Sequence, residues 1–196
     1  YTDRQLILVK RDREVTTMTI IAIENAFTKE QCDHIISLGS NDWEWGGTSI
    51  DNEQTLKLEA LRKSDIFWIN DKDITNGVLS IFKAANNKAQ WNFNIEILED
   101  MQLARYGKGE YYDWHADGNG VVAPQLQPGM VRKISMSILL NDDYEGGELE
   151  FMHTEPLPST AGTAILFPSY TVHRVKPVRK GTRYSLVGWF GGPKFV

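Results

Sequence analysis

From residue 101 to residue 191 the chain is a succession of short β-forming runs, 101–106, 111–113, 131–140, 147–152, 163–167, 171–177 and 182–191, separated by turn residues. Branched and aromatic side chains in such runs suit a pleated, half-buried surface, and the turns between them read as short connections. A jelly roll or cupin-like barrel, with strands in two packed sheets, is the architecture this spacing predicts.

Upstream the texture is different. Thr28, followed by Glu30, Cys32, Ile35, Ile36 and Leu38 and stopped by Gly39, is a cap, an apolar stripe and a terminator, so a helix is expected over 28–38. Ile74, Val78, Leu79, Ile81, Phe82 and Ala85 repeat at helical spacing and predict a second helix over about 73–90. These N-terminal helices would buttress one outer face of the barrel, giving an α+β fold. Between Asp42 and Ser64 no period holds, and Trp43, Trp45, Gly46, Gly47, Asp51, Asn52 and Glu53 mix aromatics with turn formers. A lid over a binding site fits this stretch, as does an irregular loop with its tryptophans tucked onto the core. With 196 residues, 41% of them hydrophobic, and no repeat or linker, one domain over 1–196 is expected: helical support and lid loop in 1–95, a β-core carrying the chemistry in 96–192.

Charge narrows the function. A net charge of −5 with scattered Lys and Arg lacks the footprint expected for nucleic acid or an anionic membrane. One cysteine, Cys32, excludes an internal disulfide and any cysteine-based zinc or iron–sulfur site. With no long apolar span and no signal-like N-terminus, a soluble cytoplasmic protein is the expectation.

His115 and Asp117 are two apart, and residues i and i+2 of a strand share a face, so imidazole and carboxylate would converge at a barrel mouth. His173 on a later strand supplies a third group, and two histidines with one carboxylate leave coordination positions open, as in non-haem Fe(II) oxygenases. Alone, His115-x-Asp117 also fits a solvated turn, and His173 a hydrogen-bonded strand histidine. Arg183, Ser185 and Val187 alternate onto one strand face. A buried arginine there needs an anion, and its planar fork takes a carboxylate in bidentate fashion with Ser185 as an added donor. A surface arginine at a strand start is the other reading.

Taken together, Tyr106 ahead of His115-x-Asp117, Gly146-Gly147-Glu148-Leu149, Gly162-Thr163-Ala164-Ile165-Leu166-Phe167-Pro168, Val172-His173-Arg174-Val175 and Gly181-Thr182-Arg183-Tyr184-Ser185 closely resemble the prolyl 4-hydroxylase-like branch of the 2-oxoglutarate/Fe(II) dioxygenases, with PKHD-type hydroxylases of bacteria and phages nearest. The resemblance implies a double-stranded β-helix, Fe(II) on His115, Asp117 and His173, and 2-oxoglutarate held by Arg183, Ser185 and Tyr106. It implies O2 as the oxidant, ascorbate as an accessory reductant, and conversion of 2-oxoglutarate to succinate and CO2 coupled to hydroxylation, foremost of a peptidyl proline. Leu139 departs from the pattern, standing where some prolyl hydroxylases carry a second tyrosine directed at 2-oxoglutarate.

For substrate, Arg62, Trp45, Tyr112 and Trp114 are the candidates, with Trp43 as a further aromatic, while Trp68 within the apolar run 66–69 reads as packing. His34, His153 and the acidic turn Asp142, Asp143 and Glu145 read as structural. A peptide or a free amino acid is the expected partner; a hydroxylase of small metabolites and a non-catalytic cupin-like metal module are the competing readings.

Overall fold

The computed structural model describes residues 6–9, 20–39, 43–46, 61–117, 128–152 and 154–195. The strands in chain order are β1 (Leu6–Val9), β2 (Ile20–Ile23), β3 (Glu44–Trp45), β4 (Arg62–Lys63), β5 (Asp65–Ile69), β6 (Ile97–Leu98), β7 (Met101–Tyr106) and β8 (Tyr111–His115). They continue as β9 (Met130–Leu139), β10 (Glu145–Gly146), β11 (Leu149–Phe151), β12 (Ala164–Pro168), β13 (His173–Val175), β14 (Val178–Lys180) and β15 (Arg183–Pro193).

Both expected helices form. Thr28 accepts from the Gln31 backbone N–H at 3.3 Å while the Gln31 side chain accepts from the Thr28 N–H at 2.9 Å, a capping box that starts α1, Lys29–Leu38. Asp71 caps α2, Lys72–Ala89, by accepting from the backbone of Asp73 and Ile74. Among the described residues no helix is long and apolar enough to cross a membrane.

A nine-stranded sheet runs β1-β2-β12-β9-β15-β7-β5-β3, with β6 beside β15, and a four-stranded sheet runs β11-β13-β8-β4. All their pairings are antiparallel. Strands β1, β2 and β5 lie upstream of the region whose pattern announced strands. Ile20, Ile21, Ala22 and Ile23 are all buried, so β2 shows no polar alternation to mark it as a strand.

The large sheet separates two environments. On one face Ile21, Ile23, Leu103, Ile134, Met136, Ile138, Leu166, Leu186 and Phe190 form one cluster with Cys32 and Ile35 of α1 and Ile74, Val78, Ile81, Phe82 and Ala85 of α2. Each Ile, Leu, Val, Met or Phe side chain contributes roughly 1.5–3 kcal/mol when fully buried, and this is the largest apolar cluster among the described residues. The opposite face, turned to the small sheet, takes part in two smaller apolar clusters among the described residues: Ile20, Ala22, Ile165 and Phe167 meet Phe151 of β11 at one end, and Ala104 and Tyr106 meet Val175 of β13 and Val178 of β14 at the other. Buried polar residues, among them Gln102, Ser135, Arg183 and Ser185, interrupt it.

Trp68 corrects the expectation from its apolar run. Alternation along β5 sends Phe67 to the helix-side cluster and leaves Trp68 38% exposed, its ring 6.3 Å from that of Trp189. Trp43 packs on the helix side, against Phe67 and Tyr184 with the Arg105 guanidinium over it. Asp42 and residues 47–60 of the expected lid, the Trp45 side chain and His153 lie outside the described residues. What is described of the loop is its base, where the Gly46 N–H donates to the Ser64 carbonyl at 2.8 Å.

Candidate active site

Antiparallel pairing of β8 and β13 sets His115 directly opposite His173, so their rings sit 4.2 Å apart. β8 ends at His115, and Asp117 lies in the turn beyond it rather than on the strand. Its carboxylate nevertheless returns to the pair, with Oδ1 3.4 Å from His115 Nε2 and Oδ2 3.8 Å from His173 Nε2. One ligand atom from each residue lies within 4.8 Å of the others, room for one cation among them.

The ring nitrogens are sorted by their backbone contacts. His115 Nδ1 is 2.8 Å from the Asp113 carbonyl and His173 Nδ1 is 2.9 Å from the Thr171 carbonyl. A carbonyl only accepts, so each Nδ1 carries the proton and each Nε2 presents a lone pair to the centre, the tautomer a metal requires. Burial holds the His173 imidazole below its ordinary range despite the pull of Asp117, which keeps that lone pair free. Burial disfavours the Asp117 carboxylate too, but His173, His115 and Ser135 outweigh it and hold the carboxyl far below the usual range. Two neutral nitrogens and one anionic oxygen on one side fit Fe(II) with open positions opposite.

Sequence reasoning missed what fixes Asp117. Trp189 Nε1–H donates to Asp117 Oδ2 at 2.9 Å, and Oδ1 is the oxygen nearer His115 Nε2. Trp189 is covered by the Arg132 guanidinium at 3.9 Å from its ring, and Arg132 is clamped on Glu99 by bonds of 2.7 and 2.6 Å. Trp189 shares the strand face of Arg183, Ser185 and Val187, a signal in the alternation itself; its partner 72 residues away was not legible.

Arg183 lies on β15 opposite Tyr106 of β7, its guanidinium 5.4 Å from the Tyr106 ring. It is 2% exposed; one terminal N–H donates to Ser185 Oγ at 2.9 Å, and Nε–H has no partner among the described residues. A buried guanidinium with an unspent donor is unfavourable unless an anion completes it. The residues present therefore fit a carboxylate ligand as well as a metal.

The substrate candidates divide. A register shift between β8 and β13 places Tyr112 on the His115 side, where its ring stacks on the imidazole at 3.5 Å between centroids. Burial pushes the Tyr112 phenol up to about 12. Arg62 also lies over that ring, 4.8 Å from its centre, steered by Ser64 at 2.7 Å and Gln102 at 2.9 Å. Trp114 instead packs against Arg174, which points away from the His173 side of β13 to pair with Glu150. Arg62 and Tyr112 are thus brought to the site, and Trp114 is not.

Comparison with known proteins agrees with this geometry. Residues 101–191 match the 2OG-Fe(II) oxygenase superfamily. A PKHD-type hydroxylase of Picosynechococcus is 43% identical over 99 residues, 48% of this chain and 42% of that protein. One from Aliarcobacter butzleri is 28% identical over 179 residues, 87% of this chain and 77% of that protein. The first of these matches spans less than half of its relative's length. Among solved structures, a viral collagen prolyl hydroxylase from Paramecium bursaria Chlorella virus-1 has the same fold, with a TM-score of 0.66 at 20% identity over 88% of this chain and 96% of that one. Through its β-core, with the histidine pair, the carboxylate and the buried arginine in place, the chain is similar to the 2OG-Fe(II) oxygenase superfamily and to the PKHD-type hydroxylases.

Proposed function

We propose that this chain is an Fe(II)- and 2-oxoglutarate-dependent hydroxylase of amino-acid side chains, foremost a peptidyl proline, built on a double-stranded β-helix. The observation that carries the reading is the joint presence, between the same two sheets, of two histidines with committed tautomers beside a carboxylate and of a buried arginine with an unspent donor. When bound, iron and 2-oxoglutarate supply the oxidation, in which O2 and 2-oxoglutarate give succinate, CO2 and a hydroxyl group on a substrate carbon.

The protein's own work is placement. His115 and His173 offer Nε2, and Asp117 offers Oδ1 while Trp189 occupies its other oxygen. Arg183 and Ser185 hold the distal carboxylate of the co-substrate, with Tyr106 beside them. Arg62 and Tyr112 form a stacked wall on His115 against which a substrate ring can lie. Holding the reacting C–H bond against the metal in a site shielded from water is the contribution expected of such a protein. The prolyl substrate is supported by the likeness to PKHD-type and collagen prolyl hydroxylases.

Purified protein with Fe(II), 2-oxoglutarate and ascorbate is to be incubated with proline-rich peptides and, separately, with free amino acids. Succinate release with one oxygen atom gained on a prolyl residue supports the reading. Turnover only with a free amino acid moves the substrate, and no succinate with any substrate contradicts the hydroxylase.

A further inference from the structure

Resting on the co-substrate reading above, we infer that Tyr144 is a further co-substrate-binding residue, its phenol joining the Arg183 guanidinium to receive the distal carboxylate of the 2-oxo acid. Leu139, on the strand face that looks into this space, has no donor to offer. Tyr144 reaches the same space from the turn between β9 and β10.

A cavity of about 600 Å³ opens at Arg183, and Tyr144, Ser137, Leu139, Leu149 and Ile165 share its lining. The Tyr144 ring is fitted to the arginine by two glycines in left-handed backbone conformation. A Cβ on Gly147 (φ +66°) would meet Arg183 Cδ at 2.9 Å, Val178 Cγ2 at 3.0 Å and Tyr144 Cε2 at 3.2 Å, so ring and arginine flank the space a side chain would fill. A Cβ on Gly181 (φ +76°) would meet Tyr144 Cβ at 3.1 Å. Any larger residue at either position is strained and pushes the phenol from its seat.

The chemistry suits an anion. Burial pushes the Tyr144 phenol up while Arg183 beside it pulls the other way, and the net rise keeps the hydroxyl protonated at neutral pH. Since a guanidinium only donates, the phenol oxygen is the acceptor between them and the phenol proton is left for a third group. A second donor aimed at the cluster is the Arg183 Nε–H, which has no partner among the described residues. A carboxylate entering here takes one bond from each, both charge-assisted.

The test is an anaerobic titration of the Fe(II)-loaded protein, read by the visible charge-transfer absorption of a 2-oxo acid chelated to ferrous iron. It compares wild type with Tyr144→Phe, using 2-oxoglutarate and 2-oxovalerate, which keeps the chelating end and lacks the distal carboxylate. Loss of one hydrogen bond to a charged group predicts about tenfold weaker binding of 2-oxoglutarate by the variant, with 2-oxovalerate bound as by wild type. Unchanged 2-oxoglutarate affinity overturns the assignment, and so does equal weakening of both acids, which marks a packing role. A wild type that binds iron and gives no absorption with 2-oxoglutarate overturns the co-substrate reading itself.

Discussion

Trp189 and Phe190 are neighbours on β15 and face opposite ways. Phe190 stacks on Phe82 of α2 at 4.2 Å between rings, inside the apolar cluster that joins the helices to the large sheet. Trp189 turns into the space between the sheets and spends its N–H on Asp117. The same alternation separates Leu186 from Ser185 and Tyr184 from Arg183. Stability is concentrated on one face of a strand and chemistry on the other, so polar groups can be buried at the site because the opposite face is dry and well packed. The two faces should therefore fail in different ways when altered.

The largest effect belongs to the proposed metal ligands. Asp117→Ala or His115→Ala should take succinate release to background, with iron lost from the purified protein; retained turnover after iron is restored would remove these residues from the centre. Phe190→Ala tests the other face, with an expected loss of about 3–5 kcal/mol in denaturant unfolding and unchanged iron affinity in the fraction that stays folded. Trp189→Phe should do the reverse, lowering iron affinity by about 10–100-fold, the range for partners that orient a ligand, with little change in the unfolding midpoint. A stability loss in Trp189→Phe as large as that of Phe190→Ala would break the division between the faces. Arg183→Leu should raise the 2-oxoglutarate concentration needed for turnover while iron still binds; an unchanged requirement would move the anion site elsewhere.

The smallest effect is acid sensitivity of the metal-free protein. The His173 imidazole is held below its ordinary value of 6.5, so between its own pKa and that value the unfolded chain binds more protons than the folded one. Stability then falls as pH drops through this window and is recovered above it. Urea unfolding on either side of pH 6.5 should show the fall in wild type and a reduced one in His173→Asn. An equal fall in both would assign it to other groups.

Much of this division is legible in the sequence. Helical spacing located α1 and α2, and the alternation around Arg183 identified a face carrying Ser185 as well. What escaped was long-range or lacked a pattern. β2 is buried on both faces, so no polar residue marks its period. Asp117 and Trp189 are joined across 72 residues, and Arg132 and Glu99 across 33, by packing that no local period encodes. Trp68 misled because an apolar run reads as buried, whereas strand geometry put only every second residue of it on the helix side. Trp114 misled in a similar way: the register shift in β8 placed Tyr112 with His115 and left Trp114 outside.

Anaerobic titration of wild-type protein with Fe(II) and then 2-oxoglutarate tests most directly whether metal and 2-oxo acid share one site between the sheets. Visible charge-transfer absorption should require both components and be lost in Asp117→Ala. Bound iron that gives no such absorption with 2-oxoglutarate would contradict a shared site.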